Sequence, residues 1–330
     1  MPVRFAILGD GSWGTAVALL LAENPDHEVT LWSARDDNAR QLQETRENRR
    51  FLPGIPIPPS VRLTADHRAA IDGADLLIAA IPTVYLRTTL EPFAPSAGRQ
   101  PVLSLAKGLE NKTFERPTDI IREVLGPRSV GALSGPSHAE EVARGLPATV
   151  VAASEDLNFA RWVQGCFSSR RFRVYTNLDL VGVELAGALK NVIGIAAGIS
   201  DGLGFGDNAK SALLTRAVVE MARFGVALGA EQQTFFGLAG IGDLMTTCIS
   251  PHGRNRHVGE RLAHGEKLPD ILASMTMVAE GIFTTRSVHD KAAEMNIDVP
   301  IMAEVYRVLY ENKEPRAAVL DLMTREPKLE

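Results

Sequence analysis

Gly9-Asp10-Gly11-Ser12-Trp13-Gly14 decides how the chain begins to fold. The apolar run Phe5–Gly9 leads into it and the helical stretch Thr15–Glu23 leaves it, so the three glycines sit on a strand-to-helix turn. In that setting G-x-G-x-x-G answers three steric demands: a tight turn, close approach of backbone to a pyrophosphate, and close helix–strand packing. The helix that opens there offers free N–H groups and a positive dipole end to phosphates. With 28 glycines in 330 residues the pattern alone is weak. Its place between a strand and a helix favours dinucleotide binding by Gly9, Gly11 and Gly14 over a bare structural turn.

Working outward, apolar runs at Glu28–Ser33, Asp75–Ile81, Pro101–Ala106, Ser129–Leu133, Thr149–Ala153 and Phe172–Tyr175 read as strands. Helical stretches at Asp37–Arg50, Pro117–Leu125 and Leu157–Phe167 separate several of them. Continuous apolar strands alternating with helices predict a parallel sheet covered on both faces. The segment Phe51–Ser60, FLPGIPIPPS, holds four prolines and reads as an irregular surface excursion. Beyond Tyr175 strand signals stop, and helices are expected at 179–199, 207–228, 254–264, 284–295 and 300–311. The fold class is therefore α/β plus all-α: a Rossmann-type doubly wound sheet over 1–178, then an all-helical substrate domain over 179–330. A cleft between two such units is where ligands bind.

Composition narrows the function. A chain of this length holds about two domains, and 45% hydrophobic with 23% charged residues excludes disorder as its main state. The net charge of −5 gives no global field for nucleic acid, so an anionic substrate needs a local cationic pocket. Cys166 and Cys248 form no C-x-x-C pair, and the seven histidines are scattered, so no metal site is expected. The N-terminal apolar run is broken at Gly9-Asp10, unlike a signal peptide, and no run reaches the ~18 apolar residues of a membrane span. A cytoplasmic protein is expected, with a homodimer as the commonest default assembly.

Several cationic positions stand in apolar or turn surroundings. Lys107 follows a strand, at the carboxyl end where α/β sheets bind ligands. Lys190 lies inside the nearly apolar helix ELAGALKNVIGIAAG, where a charge is costly unless paired or functional. The competing bland reading is a lysine snorkelling from a core helix. Arg254 and Asn255 follow the turn SPHG and open a helix, which suits an anionic group. Ser137, after Gly135-Pro136, is expected to cap the next helix, and Asp207 or Asn208 the helix running to Arg223. At the end of the second strand, Leu31 to Asp37 places no acid where a free ribose 2′-hydroxyl would want one. Arg35 there can pair with a 2′-phosphate or stack on adenine, which leans towards NADP without excluding NAD. Asp36 and Asp37 are expected to cap the following helix.

Together GDGSWGTA (9–16), FLPGIPIP (51–58), AKGLE (106–110), LSGPSHAEE (133–141) and GALKNVIGIAAGISDGLGFGDNAK (187–210) form a specific set. With LAGIGDLMTTC (238–248), GRNRHVG (253–259) and AEGIFTT (279–285), the chain resembles the NAD(P)-dependent glycerol-3-phosphate dehydrogenase family in its bacterial form. The resemblance covers nearly the whole chain. It implies interconversion of sn-glycerol 3-phosphate and dihydroxyacetone phosphate, feeding glycerophospholipid synthesis. By motif it implies Lys190 as catalytic acid/base. It places Lys107, Gly135, Ser137, Asn191, Asp243, Thr247, Arg254 and Asn255 around the substrate. Ser12, Trp13, Ala139, Val278 and Glu280 match cofactor positions, and Lys107 and Arg254 are shared by both ligands. Two departures stand out. Gly253 replaces the family's usual Ser, so its contact must be through backbone. Ser33 and Ala34 replace frequent basic residues, which leaves the choice between NADP and NAD open.

That chemistry agrees with the residues. Reduction of a ketone develops negative charge on its oxygen, which a protonated lysine in hydrogen-bonding range can stabilise and then protonate. Oxidation needs the lysine pKa lowered from ~10.4; burial and a nearby Lys107 would lower it, and an adjacent Asp243 would oppose them. Two other readings remain at this point. A relative with the same plan but another keto or hydroxy acid as substrate would lack the phosphate pocket of Arg254 and Asn255. A non-enzymatic dinucleotide sensor would have no reason to keep Lys190 with Asp243.

Overall fold

The computed structural model describes residues 2–326; the ends of the two expected segments, residue 1 and residues 327–330, lie outside the described residues. Ten strands run in chain order as β1 (Val3–Leu8), β2 (His27–Trp32), β3 (Glu47–Asn48), β4 (Leu52–Pro56), β5 (Val61–Thr64), β6 (Leu76–Ala79), β7 (Val102–Ser104), β8 (Val130–Ser134), β9 (Ala148–Ala153) and β10 (Phe172–Asn177). Eight of them form one sheet in the order β10-β9-β8-β7-β6-β1-β2-β5. β1 lies inside it, with Phe5 opposite Val29 on one side and Leu76 on the other, both pairings parallel. Chain order runs outward from β1 in both directions, which makes the β1/β6 edge a topological switch point. The crevice above the carboxyl ends at that point is where open α/β sheets hold ligands, and the glycine turn 9–14 opens directly onto it.

Two expectations change. The sheet is mainly parallel, but β9 runs antiparallel to β8, pairing Ala132 with Ala153. Only the five-residue helix Ala139–Ala143 separates these strands, too short to carry the chain back along the sheet as a parallel crossover requires. The proline-rich segment is also partly regular: Leu52–Pro56 pairs antiparallel with Glu47–Asn48 as a two-stranded ribbon, an edge position that tolerates proline. This ribbon braces the glycine turn, because Asn48 Nδ2 donates to the Asp10 carbonyl at 2.7 Å and to Thr15 Oγ1 at 2.8 Å. Val61–Thr64, just beyond that segment, adds a further strand that the sequence reading leaves unassigned.

From Leu180 to Glu326 the described residues contain helices and no strand. The helix Leu180–Gly202 is the axis of this part and is buried along most of its length. By length and hydropathy alone it could cross a membrane; here it is a core helix. Helices expected at 179–199, 207–228, 254–264 and 300–311 are found within a few residues of those bounds, while the one expected at 284 begins at Glu280. Gln232–Phe235, Asp243–Ile249, Leu268–Ser274 and Pro315–Met323 are additional helices.

Close packing in this part depends on glycine. A methyl group on Gly198 or Gly202 of the Leu180–Gly202 helix would strike the backbone of the helix Arg254–Ala263, and one on Gly259 would strike the Ile195 carbonyl. The two helices therefore pack backbone to backbone, which brings Asn255 beside Asn191. Two acids, buried Glu184 and partly buried Glu280, tie the helical part to the sheet part. Glu184 accepts from Thr118 N at 2.9 Å and Thr118 Oγ1 at 2.6 Å, capping the helix Pro117–Leu125 from outside it. Glu280 accepts from Thr83 N at 2.7 Å, at the start of the helix Thr83–Leu90. Each carboxylate supplies acceptors to helix N–H groups that have no partner within their own helix.

Candidate active site

The three glycines of the turn divide their work. Gly9 is in the left-handed region at φ 118°, and a side chain there would meet the Ala80 carbonyl. Gly14 packs against the Gly9 carbonyl. Gly11 has open space where its side chain would be, and it stands at the N-cap of the helix Ser12–Leu21. That helix start has no side-chain cap and no acid in its first turn, so its N–H groups and positive end are available to an anion. Trp13 Nε1 is buried without a partner. Ser12 Oγ approaches Met277 Sδ at 3.8 Å, so the segment leading to Val278 closes over the turn. These observations fit a dinucleotide phosphate at this helix end.

Arg35 stands at the end of β2, next to the helix that follows. It is itself the N-cap residue of the helix Asp36–Thr45, and Asp36 and Asp37 fall in the first turn. Its guanidinium forms a two-pronged pair with Asp37, Nε to Oδ1 at 3.1 Å and Nη2 to Oδ2 at 2.9 Å, both side chains exposed. Similarly, Ser137 does not cap a helix: its hydroxyl donates to the Gly135 carbonyl at 3.0 Å, and His138 occupies the N-cap of Ala139–Ala143. Phe205, not Asp207 or Asn208, is the N-cap of Gly206–Ala227.

Across the cleft, residues far apart in sequence converge. Lys190 Nζ donates to Thr247 Oγ1 at 2.6 Å and meets Asp243 Oδ1 at 3.0 Å. Lys107 Nζ takes the other oxygen, Asp243 Oδ2, at 2.6 Å and the Gly135 carbonyl at 3.1 Å. Asn191 Nδ2 donates to the Lys107 carbonyl at 2.7 Å, Asn255 Nδ2 to Asn191 Oδ1 at 2.9 Å, and Gly281 N to Asn255 Oδ1 at 3.0 Å. Gly187, one turn before Lys190, leaves room for Ser134 Oγ, another buried hydroxyl without a partner.

Two ammonium groups share one carboxylate, so the buried cluster carries net positive charge and suits an anionic ligand. Burial pushes Lys190 down to about 8; Lys107 acts in the same direction and Asp243 opposes it. Burial alone would raise Asp243, yet the two lysines hold it below the usual carboxylate range. A lysine that titrates near 8 can give and take a proton near neutrality.

Arg254 is exposed at the start of its helix and donates Nη1 to the Val278 carbonyl at 2.9 Å. Gly253 is buried, and a side chain there would press on the Thr247 carbonyl, which explains why serine is not accommodated at this position in the present packing. Ala139 is buried at the start of its short helix. Thr83 was not legible as a site residue. Its N–H holds Glu280 while its buried Oγ1 has no partner, and the available signal was its position at the start of the helix that follows strand β6. No metal-binding group of His, Cys, Asp and Glu occurs among the described residues.

Two family profiles divide the chain. The one described as the NAD-dependent glycerol-3-phosphate dehydrogenase N-terminus matches residues 4–160, and its C-terminal counterpart matches residues 179–320. The chain belongs to this family. A glycerol-3-phosphate dehydrogenase, NAD(P)+, from Chlorobium phaeobacteroides (strain BS1) is 48% identical over 99% of each chain. A second enzyme of that name from Salinibacter ruber is 47% identical over 100% of this chain and 97% of its own. The crystal structure of glycerol-3-phosphate dehydrogenase from Coxiella burnetii superimposes with a TM-score of 0.94 at 36% identity, covering 98% of this chain and 99% of that one. As a member of the glycerol-3-phosphate dehydrogenase family, the protein is an NAD(P)-dependent oxidoreductase with the family's fold of a Rossmann-type sheet followed by helices.

Proposed function

We propose that this protein interconverts sn-glycerol 3-phosphate and dihydroxyacetone phosphate, with Lys190 as the proton donor and acceptor at C2. The observation that carries the reading is Lys190 itself: buried, 3.0 Å from Asp243, and lowered to about 8. Bound at the glycine turn, the nicotinamide cofactor supplies or accepts the hydride. Lys190 Nζ stabilises the negative charge that develops on the ketone oxygen and delivers its proton there; in the oxidative direction the neutral amine takes that proton. Asp243 and Thr247 orient the ammonium, and Lys107 balances the carboxylate from the other side.

Arg254, Asn255, Asn191, Lys107 and the backbone at Gly135 and Gly253 are assigned to the phosphorylated substrate, together with Ser137. Gly9, Gly11, Ser12, Trp13, Gly14, Arg35, Ala139, Val278 and Glu280 are assigned to the cofactor, with Lys107 and Arg254 facing both. With no acid at the end of β2 and Arg35 beside it, NADP is the proposed preferred form. We further assign the protein to the cytoplasm as a homodimer, divided at 178/179 into cofactor and substrate domains, with glycerol 3-phosphate delivered to glycerophospholipid synthesis.

The deciding assay follows absorbance at 340 nm with the purified protein, dihydroxyacetone phosphate, and NADPH or NADH. Substrate-dependent oxidation of either cofactor is expected, faster with NADPH. No turnover with dihydroxyacetone phosphate, alongside turnover of an unphosphorylated keto acid, would overturn the substrate assignment.

A further inference from the structure

Lys190, Gly194, Gly198 and Asp201 follow one another along the helix Leu180–Gly202 at intervals of four, four and three. That spacing puts them on one side of it. The helix Arg254–Ala263 lies against this side. A side chain on Gly194 would meet Thr247 Cγ2 at 2.9 Å and Asn255 Cβ at 3.2 Å, and one on Gly198 would strike the Arg256 carbonyl. Glycine lets the two backbones touch, but it has no group to fix how far one helix slides or turns on the other. Asp201 has such a group. Its Oδ2 accepts from Arg256 Nε at 2.6 Å and its Oδ1 meets Lys210 Nζ at 2.6 Å, with the three side chains only 18–20% exposed. Arg256 Nη2 turns back to Glu260 Oε1 at 2.7 Å, one turn along its own helix.

An aspartate in the last turn of a helix faces the negative end of its dipole and is unfavourable there unless cations offset it. Asp201 has two, one from each neighbouring helix. Arg256 directly follows Arg254 and Asn255. Asn255 is fixed on the other side through Asn191 and the Gly281 N–H, so the first turn of this helix is gripped at two points, Asn255 and Arg256. Resting on the substrate reading above, we infer that Asp201 is a positioning residue. Through Arg256 it sets the rotation and register of the helix start that carries Arg254 and Asn255, and so governs binding of the phosphorylated substrate. Eleven residues place Asp201 about 16 Å along the helix from Lys190, so it acts through Arg256 and not on the reacting atoms. Lys210 completes the same carboxylate from the helix Gly206–Ala227, to which no substrate residue is assigned. The two cations therefore separate positioning from stability.

The test measures KM for dihydroxyacetone phosphate, KM for NADPH, kcat and the melting temperature in wild type and five variants. Asp201→Asn and Arg256→Gln should each raise KM for dihydroxyacetone phosphate roughly 3- to 30-fold, the range for substitutions acting through a packed network, with kcat and KM for NADPH within about twofold. The double variant should match the single ones, because either change breaks the same link. Arg256→Lys keeps a cation for Asp201 and should recover part of the loss. Lys210→Gln removes the other ion pair, so it should melt earlier yet keep the wild-type KM for dihydroxyacetone phosphate. An unchanged KM in Asp201→Asn, effects that add in the double variant, or an equal rise in both KM values would overturn the assignment. So would a Lys210→Gln variant as impaired as Asp201→Asn, since a general loss of stability would then explain both. If Asp201→Asn does not fold, Arg256→Gln and Arg256→Lys decide: a KM for dihydroxyacetone phosphate unchanged in the Gln variant overturns the assignment. Absence of wild-type turnover with dihydroxyacetone phosphate would refute the substrate reading itself, and the assignment of Asp201 would fall with it.

Discussion

The ammonium of Lys190 meets the carboxylate of Asp243 at 3.0 Å inside the protein, while the other oxygen of that carboxylate is taken by Lys107 at 2.6 Å. One carboxylate between two lysines cannot neutralise both, and that is why burial is able to keep Lys190 down near 8 even with an acid in contact. The arrangement serves two-way proton transfer: a fully paired lysine would stay protonated far above neutrality, and an unpaired one would lose its orientation.

The pH dependence follows with its sign. Reduction uses the ammonium, so its rate should be flat at low pH and fall as pH rises through about 8. Oxidation uses the free amine and should rise through the same point, then level. Asp243→Asn removes the group that opposes the lowering, so the midpoint should move to lower pH in both directions. Lys190→Met should cost about a hundredfold or more in turnover while cofactor binding, measured by fluorescence quenching, is preserved. A Met variant with near-normal turnover, or a midpoint unmoved in Asp243→Asn, would remove Lys190 from the proton transfer.

Arg254 opens its helix with an exposed guanidinium that, among the described residues, is held only by the Val278 carbonyl. Arg254→Ala should lower kcat/KM for dihydroxyacetone phosphate by roughly 10- to 150-fold, the equivalent of one charged hydrogen bond. Arg254→Lys should recover part of that loss, since it restores charge without the two-pronged geometry. An unchanged constant in the Ala variant would exclude a substrate contact.

What could be read from the sequence was set by how local each physical demand is. The glycine turn was legible because its steric requirements fall within six residues and flank a strand and a helix. Lys190 was legible because an ammonium in an apolar helix is out of place on its own. Its pairing with Asp243, which in turn pairs with Lys107 at a separation of 136 positions, is not a local feature, and the family motifs indicated which residues to group but not which oxygen each lysine takes. The reversal of β9 turned on the shortness of one helix, and the ribbon at Leu52–Pro56 on a pairing that its prolines disguised. The Arg35–Asp37 pair was not legible, because a spacing of two residues does not say whether a guanidinium faces its neighbour or a ligand.

That pair gives a test of cofactor choice. For Arg35 to engage a 2′-phosphate it must release or share Asp37, which holds it through two hydrogen bonds. Asp37→Asn should therefore lower KM for NADPH and leave KM for NADH nearly unchanged, whereas Arg35→Ala should raise KM for NADPH more than for NADH. Steady-state kinetics with both cofactors read this directly. Equal effects of each substitution on the two cofactors would show that the 2′-phosphate is recognised elsewhere.

The helix crossing beneath the site provides the last prediction, because it separates packing from chemistry. Gly198 has an ordinary helical backbone, so alanine there meets no conformational penalty, yet its methyl would fall within the van der Waals shell of the Arg256 carbonyl. The helix Arg254–Ala263 must then move away, carrying Arg254 and Asn255 with it. Gly198→Ala should lose about 1–3 kcal/mol of stability, as overpacking does, and should raise KM for dihydroxyacetone phosphate well beyond KM for the cofactor. Gly165 supplies the control: it is exposed in the helix Leu157–Phe167 and has nothing within 4 Å of an added methyl. Gly165→Ala should stabilise by about 0.5–1 kcal/mol through helix propensity alone, with kinetics unchanged. Thermal melts and steady-state kinetics on the two variants decide the matter. If Gly198→Ala melts at or above wild type with an unaltered substrate KM, the backbone-to-backbone crossing is not what positions Arg254 and Asn255.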